Sequence, residues 1–304
     1  MIPDASLTVL ATPKPFRGHV GIIQRNAIGS WTRLLPRPEI YLFGDEPGTT
    51  EIAAELHLHY LGSIARNEFG TPLLNDVLKR ARELASTQLL CYVNCDIILV
   101  QEFLEAIARV QAVFPCFLAV AHRVNIDLRV HLDFAGGGEE KFRREILPHG
   151  VPGDHTAIDL FVFPLDAYLE VPPLALGRAW FDQWLIKEAR RLKMPVVDIT
   201  EVAPAIHQTH TYEHIEGGQK GAYWGEEALR SLAVYGGRPH AFTLLDVTHE
   251  LIFAGGLRRV HFRREKHFAR QWLWQNLVLR TASTRARLGL RRRSAGKIDA
   301  RAKT

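Results

Sequence analysis

The 304-residue sequence predicts an α/β fold: a mainly parallel central sheet flanked by helices, followed by a basic helical C-terminal tail. Three observations carry this expectation. Short apolar, β-rich runs alternate with stretches of helical periodicity, and parallel strands need such helical crossovers. Clusters of Gly, Pro, Asn and Asp separate the two kinds of run. Apolar residues make up 47% and charged residues 23%, enough to build a core and too apolar for wholesale disorder.

Ser6 to Ala11 reads as the first strand and Gly18 to Leu34 as the first helix. Glu39 to Phe43 is a second short apolar strand, closed by the turn residues Gly44-Asp45-Glu46-Pro47-Gly48, with a helix from Thr50 to Leu56. After Thr71-Pro72, the apolar residues Leu74, Val77, Leu78, Ala81 and Leu84 recur at helical spacing. Leu89 to Val93 is a strand, Gln101 to Val113 a helix and Cys116 to Ala121 a strand. Residues 135 to 154, rich in Gly, Pro and charge, read as a long polar loop suited to a lid. A strand (Leu160 to Phe163), a helix (Trp180 to Leu192) and a strand (Val196 to Ile199) follow. The expected organisation is a main core over 1–215, its C-terminal part over 216–257, and a tail over 258–304, partly disordered.

Charge divides the chain. From Arg258 onward there are fifteen Lys/Arg against Glu265 and Asp299, a surplus of thirteen; with +5 overall, the first 257 residues carry −8. Trp and Phe among the tail's arginines suit an anionic membrane surface, and nucleic acid is not an expected partner. The start, Met1-Ile2-Pro3-Asp4, lacks the cationic and apolar segments of a signal peptide, and no apolar run has the length of a membrane span. The expectation is a cytoplasmic protein whose tail can meet the inner face of a membrane. Cys91, Cys95 and Cys116 are an odd set, and an extended strand would hold the first two too far apart for a disulfide. All three are expected to be buried thiols.

Chemistry concentrates in Tyr92-Val93-Asn94-Cys95-Asp96, where an apolar strand ends in two oxygen-bearing side chains. Oxygen donors at a strand's carboxyl end can hold Mg²⁺ or Mn²⁺. They also suit a turn that caps the next helix. Further on, His207-Gln208-Thr209-His210-Thr211-Tyr212-Glu213-His214 places three histidines in a short stretch, and neutral imidazoles bind divalent metals of borderline softness. Asp182 opens the helix after Trp180, where a carboxylate either stabilises the helix N-terminus or serves a reaction. Trp180 is either core or a platform on which a ligand ring stacks.

These residues resemble GT-A glycosyltransferases over roughly residues 6 to 215. Asn94-Cys95-Asp96 looks like their DxD motif with Asn in the first place. Ala11-Thr12-Pro13-Lys14 resembles the loop that wraps the nucleotide, and Asp45 the acid that contacts base or ribose, though it equally suits a plain turn. Asn67 to Pro72, with Asn67 and Gly70, is similar to the segment entering the next helix. The resemblance implies a nucleotide-diphosphate sugar donor, a UDP-sugar above all, bound by Thr12, Pro13, Lys14, Asp45, Asn67, Gly70, Asn94 and Asp96. It also implies Mn²⁺ or Mg²⁺ on Asp96 with His207 or His210, and Asp182 at the acceptor; Asp159, just after the long loop, is either a contact to donor sugar or acceptor or a solvated strand-edge acid. The acceptor would be a glycan or a lipid-linked sugar. Two other readings stand beside it: a zinc hydrolase with His207, His210 and His214 on one helix face, and an inactive scaffold of the same fold at a membrane surface.

Overall fold

The computed structural model describes residues 6–134, 138–211, 217–237, 241–261, 263–267 and 269. Its first half follows the alternation expected. Strand β1 (Leu7–Ala11) leads to α1 (Gly18–Thr32), β2 (Glu39–Phe43), α2 (Thr49–Glu55), β3 (His59–Leu61), α3 (Leu74–Leu84) and β4 (Leu89–Val93). Then come β5 (Ile97–Ile98), α4 (Glu102–Gln111), β6 (Leu118–Ile126), α5 (Gly138–Lys141), β7 (Val151–Pro152) and β8 (Ile158–Pro164). The remainder is α6 (Phe181–Arg191), β9 (Val196–Asp198), β10 (Ala205–Gln208), α7 (Gly218–Trp224), α8 (Glu226–Tyr235), β11 (His249–Leu251) and β12 (Leu257–Arg259).

The main sheet runs β12-β11-β9-β6-β8-β4-β1-β2-β3. Its neighbours are parallel except where β8 lies between β6 and β4 and where β12 closes the edge. β8 is antiparallel to β6: the connection between them holds the short α5 with its following turns and β7, and the chain comes back beside the strand it left. Alternate side chains of β1 and β4 enter opposite cores. Val9 and Cys91 join one with Ala27, Ile28, Trp31 and Phe103; Leu10 and Tyr92 join the other with Leu74, Val77, Phe181 and Leu185. With helices on both faces, both sets are buried, which is why these strands read as continuous apolar runs.

Strand β6 outlasts its neighbours. Its first residues pair with β9, and a register irregularity between Val120 and His122 marks where the strand changes partners. Beyond it, Arg123 to Ile126 pair in parallel with β10, and β5 pairs antiparallel with β10 on the other side. This small second sheet sits at the carboxyl end of β4. Gln208 locks it. Fully buried, it accepts from Asn26 Nδ2 (2.9 Å) and donates to the carbonyls of Ile23 (2.8 Å) and Asp96 (3.3 Å). Gln208→Leu strands these groups in the core and is expected to cost about 2–4 kcal/mol, measurable by urea unfolding.

Several expectations are corrected. Residues 138–149 are not an open loop: α5 continues through one π turn (Phe142–Ile146) and a 3-10 turn (Leu147–His149). Phe142 is buried in the first core, and Arg143 forms an ion pair with Glu102 at 2.7 Å. An amphipathic stretch buries its one aromatic despite the flanking glycines and prolines. Cys91 and Cys95 are buried, but Cys116, in the connection before β6, is exposed. Arg258 and Arg259 belong to β12 rather than to a tail; the chain divides into Met1–His261 and Phe262–Thr304. Residues 263–267 are helical. The tail's Trp272 and Trp274, and its expected disorder, lie outside the described residues. No helix among the described residues is long and apolar enough to cross a membrane.

Candidate metal and donor site

A cleft of about 390 Å³ opens at the carboxyl ends of β1 and β4. Its floor is Tyr92, Asn94 and Asp96. One wall is the loop Thr12–Pro15, pinned where Lys14 N donates to Gln24 Oε1 (2.6 Å) and Gln24 Nε2 returns a bond to Lys14 O (2.8 Å). The facing wall combines Arg66, Phe69–Pro72 and Leu176–Arg178, and His210 closes one end.

Asp96 turns between β4 and β5. Its Oδ2 lies 3.0 Å from His210 Nε2 and 3.8 Å from His207 Nε2. The three residues can each offer a ligand atom within 4.8 Å of the others. The far side of each ring fixes its tautomer. His207 Nδ1 faces Asn125 Oδ1 (2.9 Å), whose amide nitrogen donates to Val151 O (3.3 Å). His210 Nδ1 faces the Thr211 carbonyl (2.8 Å). Both partners only accept, so both Nδ1 atoms carry hydrogen, and in the neutral rings both Nε2 lone pairs face Asp96. Two lone pairs and a carboxylate converging on one point repel unless a proton or a metal cation joins them. Asp96 Oδ1 is buried and makes no hydrogen bond among the described residues. The donor set therefore fits a divalent ion, and two nitrogens with one oxygen favour Mn²⁺ over Mg²⁺.

Ionisation agrees. Burial opposes a charge on Asp96, but the neighbouring His207, His210 and Lys14 outweigh it and hold the carboxyl below its ordinary range. Burial lowers His207 to about 4 against the pull of Asp96, so at neutral pH the ring is a neutral base.

Asn94 takes a different part. Its backbone N donates to Asp159 O (3.1 Å) and its Nδ2 to Asp159 Oδ1 (2.7 Å), while Arg123 NH1 donates to Asp159 Oδ2 (3.2 Å). Burial and the nearby Asp96 push the Asp159 carboxyl up, against Arg123 and Asn94. The carboxylate absent from position 94 thus stands across the strand on β8. Asn94→Asp would oppose two carboxylates where an amide now donates. It is expected to destabilise the protein by about 1–3 kcal/mol at pH 7 without tightening metal binding. The raised carboxyl pKa makes that deficit shrink as pH falls, because the protonated side chain can donate; urea titrations at two pH values measure this.

Asp182 lies in the first turn of α6, whose Phe181 packs edge-on against Tyr92 (5.9 Å between ring centroids) and Phe161 (6.3 Å). Burial, reinforced by Asp159 and opposed by backbone hydrogen bonds at the helix start, raises Asp182 to about 7. Its Oδ2 accepts from Gln183 Nε2 (3.0 Å), and its Oδ1 has no partner among the described residues. Trp180 before it holds φ at +88°, a conformation that costs a bulky residue about 1–3 kcal/mol, with its ring against Tyr235 (5.3 Å).

Thr12, Pro13, Lys14, Gly70, Asn94, Asp96 and His210 line the cleft, with His207 buried behind Asp96; Asp159 and Asp182, the two expected catalytic acids, do not line it. Asp45 does not line it: its carboxylate is 73% exposed and pairs with Arg66 (2.8 Å), while Glu46 reaches the wall. Nor does Asn67, whose Oδ1 accepts from the Phe69 and Thr71 backbones (3.0 and 2.9 Å) and shapes a turn in which Gly70 takes φ +79°. No described residue of 138–153 lines it either. His207 sits on a strand and His210 in the coil after it, so these two do not share a helix face; His214 lies outside the described residues. Sequence reasoning missed Arg66, Glu46, Asn125 and Arg123. It also missed Glu227, which accepts from Arg178 (2.7 Å) and Asn67 (2.7 Å) and ties α8 to the wall.

No protein-family model matches the chain, and no curated protein matches it by sequence. Solved structures do. One is glucosyl-3-phosphoglycerate synthase from Mycobacterium tuberculosis with Mn²⁺, UDP and glucosyl-3-phosphoglycerate: 12% identity, 76% of this chain and 80% of that one, TM-score 0.44. Another, from Desulfovibrio desulfuricans G20, is assigned as a nucleotide-diphospho-sugar transferase: 13% identity, 76% and 96% coverage, TM-score 0.41. A third is S. aureus TarS 1-349: 12% identity, 67% of this chain, TM-score 0.40; the chain spans 58% of its length.

Proposed function

We propose that this chain transfers a glycosyl group from a nucleotide-diphosphate sugar, a UDP-sugar above all, to a hydroxyl of a glycan or lipid-linked acceptor. The observation that carries the reading is the convergence of Asp96, His207 and His210 on one point at the end of a cleft that also holds Lys14, Arg66 and Arg178. Asp96, His207 and His210 would hold Mn²⁺ or Mg²⁺, which when bound supplies charge neutralisation for a diphosphate leaving group. Lys14 and Arg178 bind the phosphates, with Arg66 oriented between Asp45 and Glu46 at the wall. Thr12 and Pro13 cover the nucleoside, and the turn built by Asn67 and Gly70 faces it. Asp159, held by Asn94 and Arg123, binds hydroxyls of the donor sugar. The acceptor oxygen attacks the anomeric carbon, the bond from that carbon to the diphosphate oxygen breaks, and Asp182 takes the acceptor's proton.

Thermal shift against UDP, GDP, CDP and dTDP, each with Mn²⁺, Mg²⁺ or EDTA, tests this. A ligand at a hundredfold excess over its dissociation constant stabilises the native state by about 2.7 kcal/mol. UDP with Mn²⁺ is expected to raise the melting temperature, and EDTA to remove the shift. Slow Mn²⁺-dependent hydrolysis of the matching UDP-sugar then separates an enzyme from an inactive scaffold. No shift with any nucleotide, and a shift with Zn²⁺ alone, would overturn the proposal.

A further inference from the structure

On the α6, β9, β11 and β12 side of the molecule lies a second groove of about 500 Å³. Arg190, Lys193, His249, Arg259 and His261 line it, and no carboxylate does. Arg190, Lys193 and Arg259 form no ion pair with a carboxylate within 4 Å among the described residues; Arg190 donates to the Asp246 backbone carbonyl (2.5 Å). Such a gathering of cations is out of keeping with its surroundings, since the first 257 residues carry −8. The hairpin that supplies Arg259 turns at Phe253, which is 70% exposed. That turn is held firmly. Phe253 N donates to Glu201 Oε1 (2.9 Å), and Arg109 donates to the carbonyls of Ile252 (2.8 Å) and Gly255.

We propose that this sheet edge is a docking surface for an anionic phospholipid membrane, with headgroup phosphates entering the groove and Phe253 reaching the interface. The charge is complementary, and elsewhere the acidic body repels such a surface, so contact is confined to one edge. A lipid surface is favoured over nucleic acid because it alone offers an apolar phase to a rigidly held, exposed phenylalanine. From His261 the sequence runs on into Arg263, Arg264 and Lys266 and then Trp272 and Trp274, the same pairing of cation and aromatic. The inference does not depend on the transferase reading.

Flotation of the full chain with phosphatidylcholine vesicles, with and without phosphatidylglycerol, tests it. Lys193 holds φ at +61°, so Lys193→Gly removes a charge while relieving backbone strain. Combined with Arg259→Gln, it is expected to lower partitioning onto phosphatidylglycerol vesicles about twenty-fivefold, as each cation at such a surface is worth roughly fivefold. The UDP and Mn²⁺ thermal shift of this variant reports on the cleft separately and is expected to stay unchanged. Phe253→Ser is expected to weaken vesicle binding while leaving its salt dependence. Equal binding to pure phosphatidylcholine, a double variant that floats like the parent, or loss by that variant of RNA-oligonucleotide binding but not of vesicle binding would each overturn the proposal.

Discussion

Asp96→Asn is expected to leave a well-folded protein whose Mn²⁺-dependent donor turnover is about a thousandfold lower, the scale of a lost Lewis acid worth several kcal/mol. The two halves of this result have one cause. The Asn amide can donate to the histidine nitrogens that Asp96 now faces at 3.0 and 3.8 Å, so the empty centre becomes better satisfied. A metal at the proposed centre, however, would lose the one carboxylate among Asp96, His207 and His210. Melting in EDTA should therefore be equal to or above that of the parent, while the Mn²⁺-induced rise disappears. Turnover at parental rates with an intact Mn²⁺ titration would remove Asp96 from the centre.

Asp182→Asn is expected to lower turnover by about 10²–10⁴-fold, the usual worth of a positioned general base. In the parent, the acid limb of the kcat/KM profile should follow a group near pH 7, and the variant should lose that limb. Stability moves the other way. Because the folded state holds the Asp182 proton more tightly than the unfolded chain, its contribution is complete below about pH 4 and lost as pH rises through about 7. Asn keeps the neutral form at every pH, so at pH 8 the variant should melt higher than the parent, each kcal/mol being worth roughly 2–4 °C. A variant that melts lower at pH 8 yet stays active would make Asp182 a helix-start carboxylate only. The strained Trp180 beside it is in keeping with a segment shaped for something other than stability.

How much of this was legible beforehand depended on whether a residue's role is local. β1, β2, β4 and the first part of β6 are buried on both faces, so their apolar runs announced themselves. β3 has two exposed residues of three, β5 is two residues long, and β10 carries His207 and Gln208 in the core, so none has the pattern of a strand. Phe142 was lost among charges and glycines because its partners lie in distant elements. At the site, Asp96 was legible as an acid ending an apolar strand, and His207 and His210 by their density. Asn125 and Arg123 were not, because β6 looks finished at Ala121 and pairing with the distant β10 and β7 carries it further. The part played by Asn94 was hidden for the same reason: its partner Asp159 is 65 positions away, on a strand whose direction the sequence does not reveal.

The small sheet that joins β5, β10 and the end of β6 also bears on how the protein comes to exist. Asp96 and His210 lie 114 positions apart, and β10 must find β5 across that span. Pairings of such high contact order form late, since a large loop must close before any contact rewards it. A chain emerging from a ribosome would present Asp96 long before either imidazole. Recovery of metal binding in a refolding experiment should therefore follow the slowest phase, so that the ion joins only finished molecules and slows their unfolding.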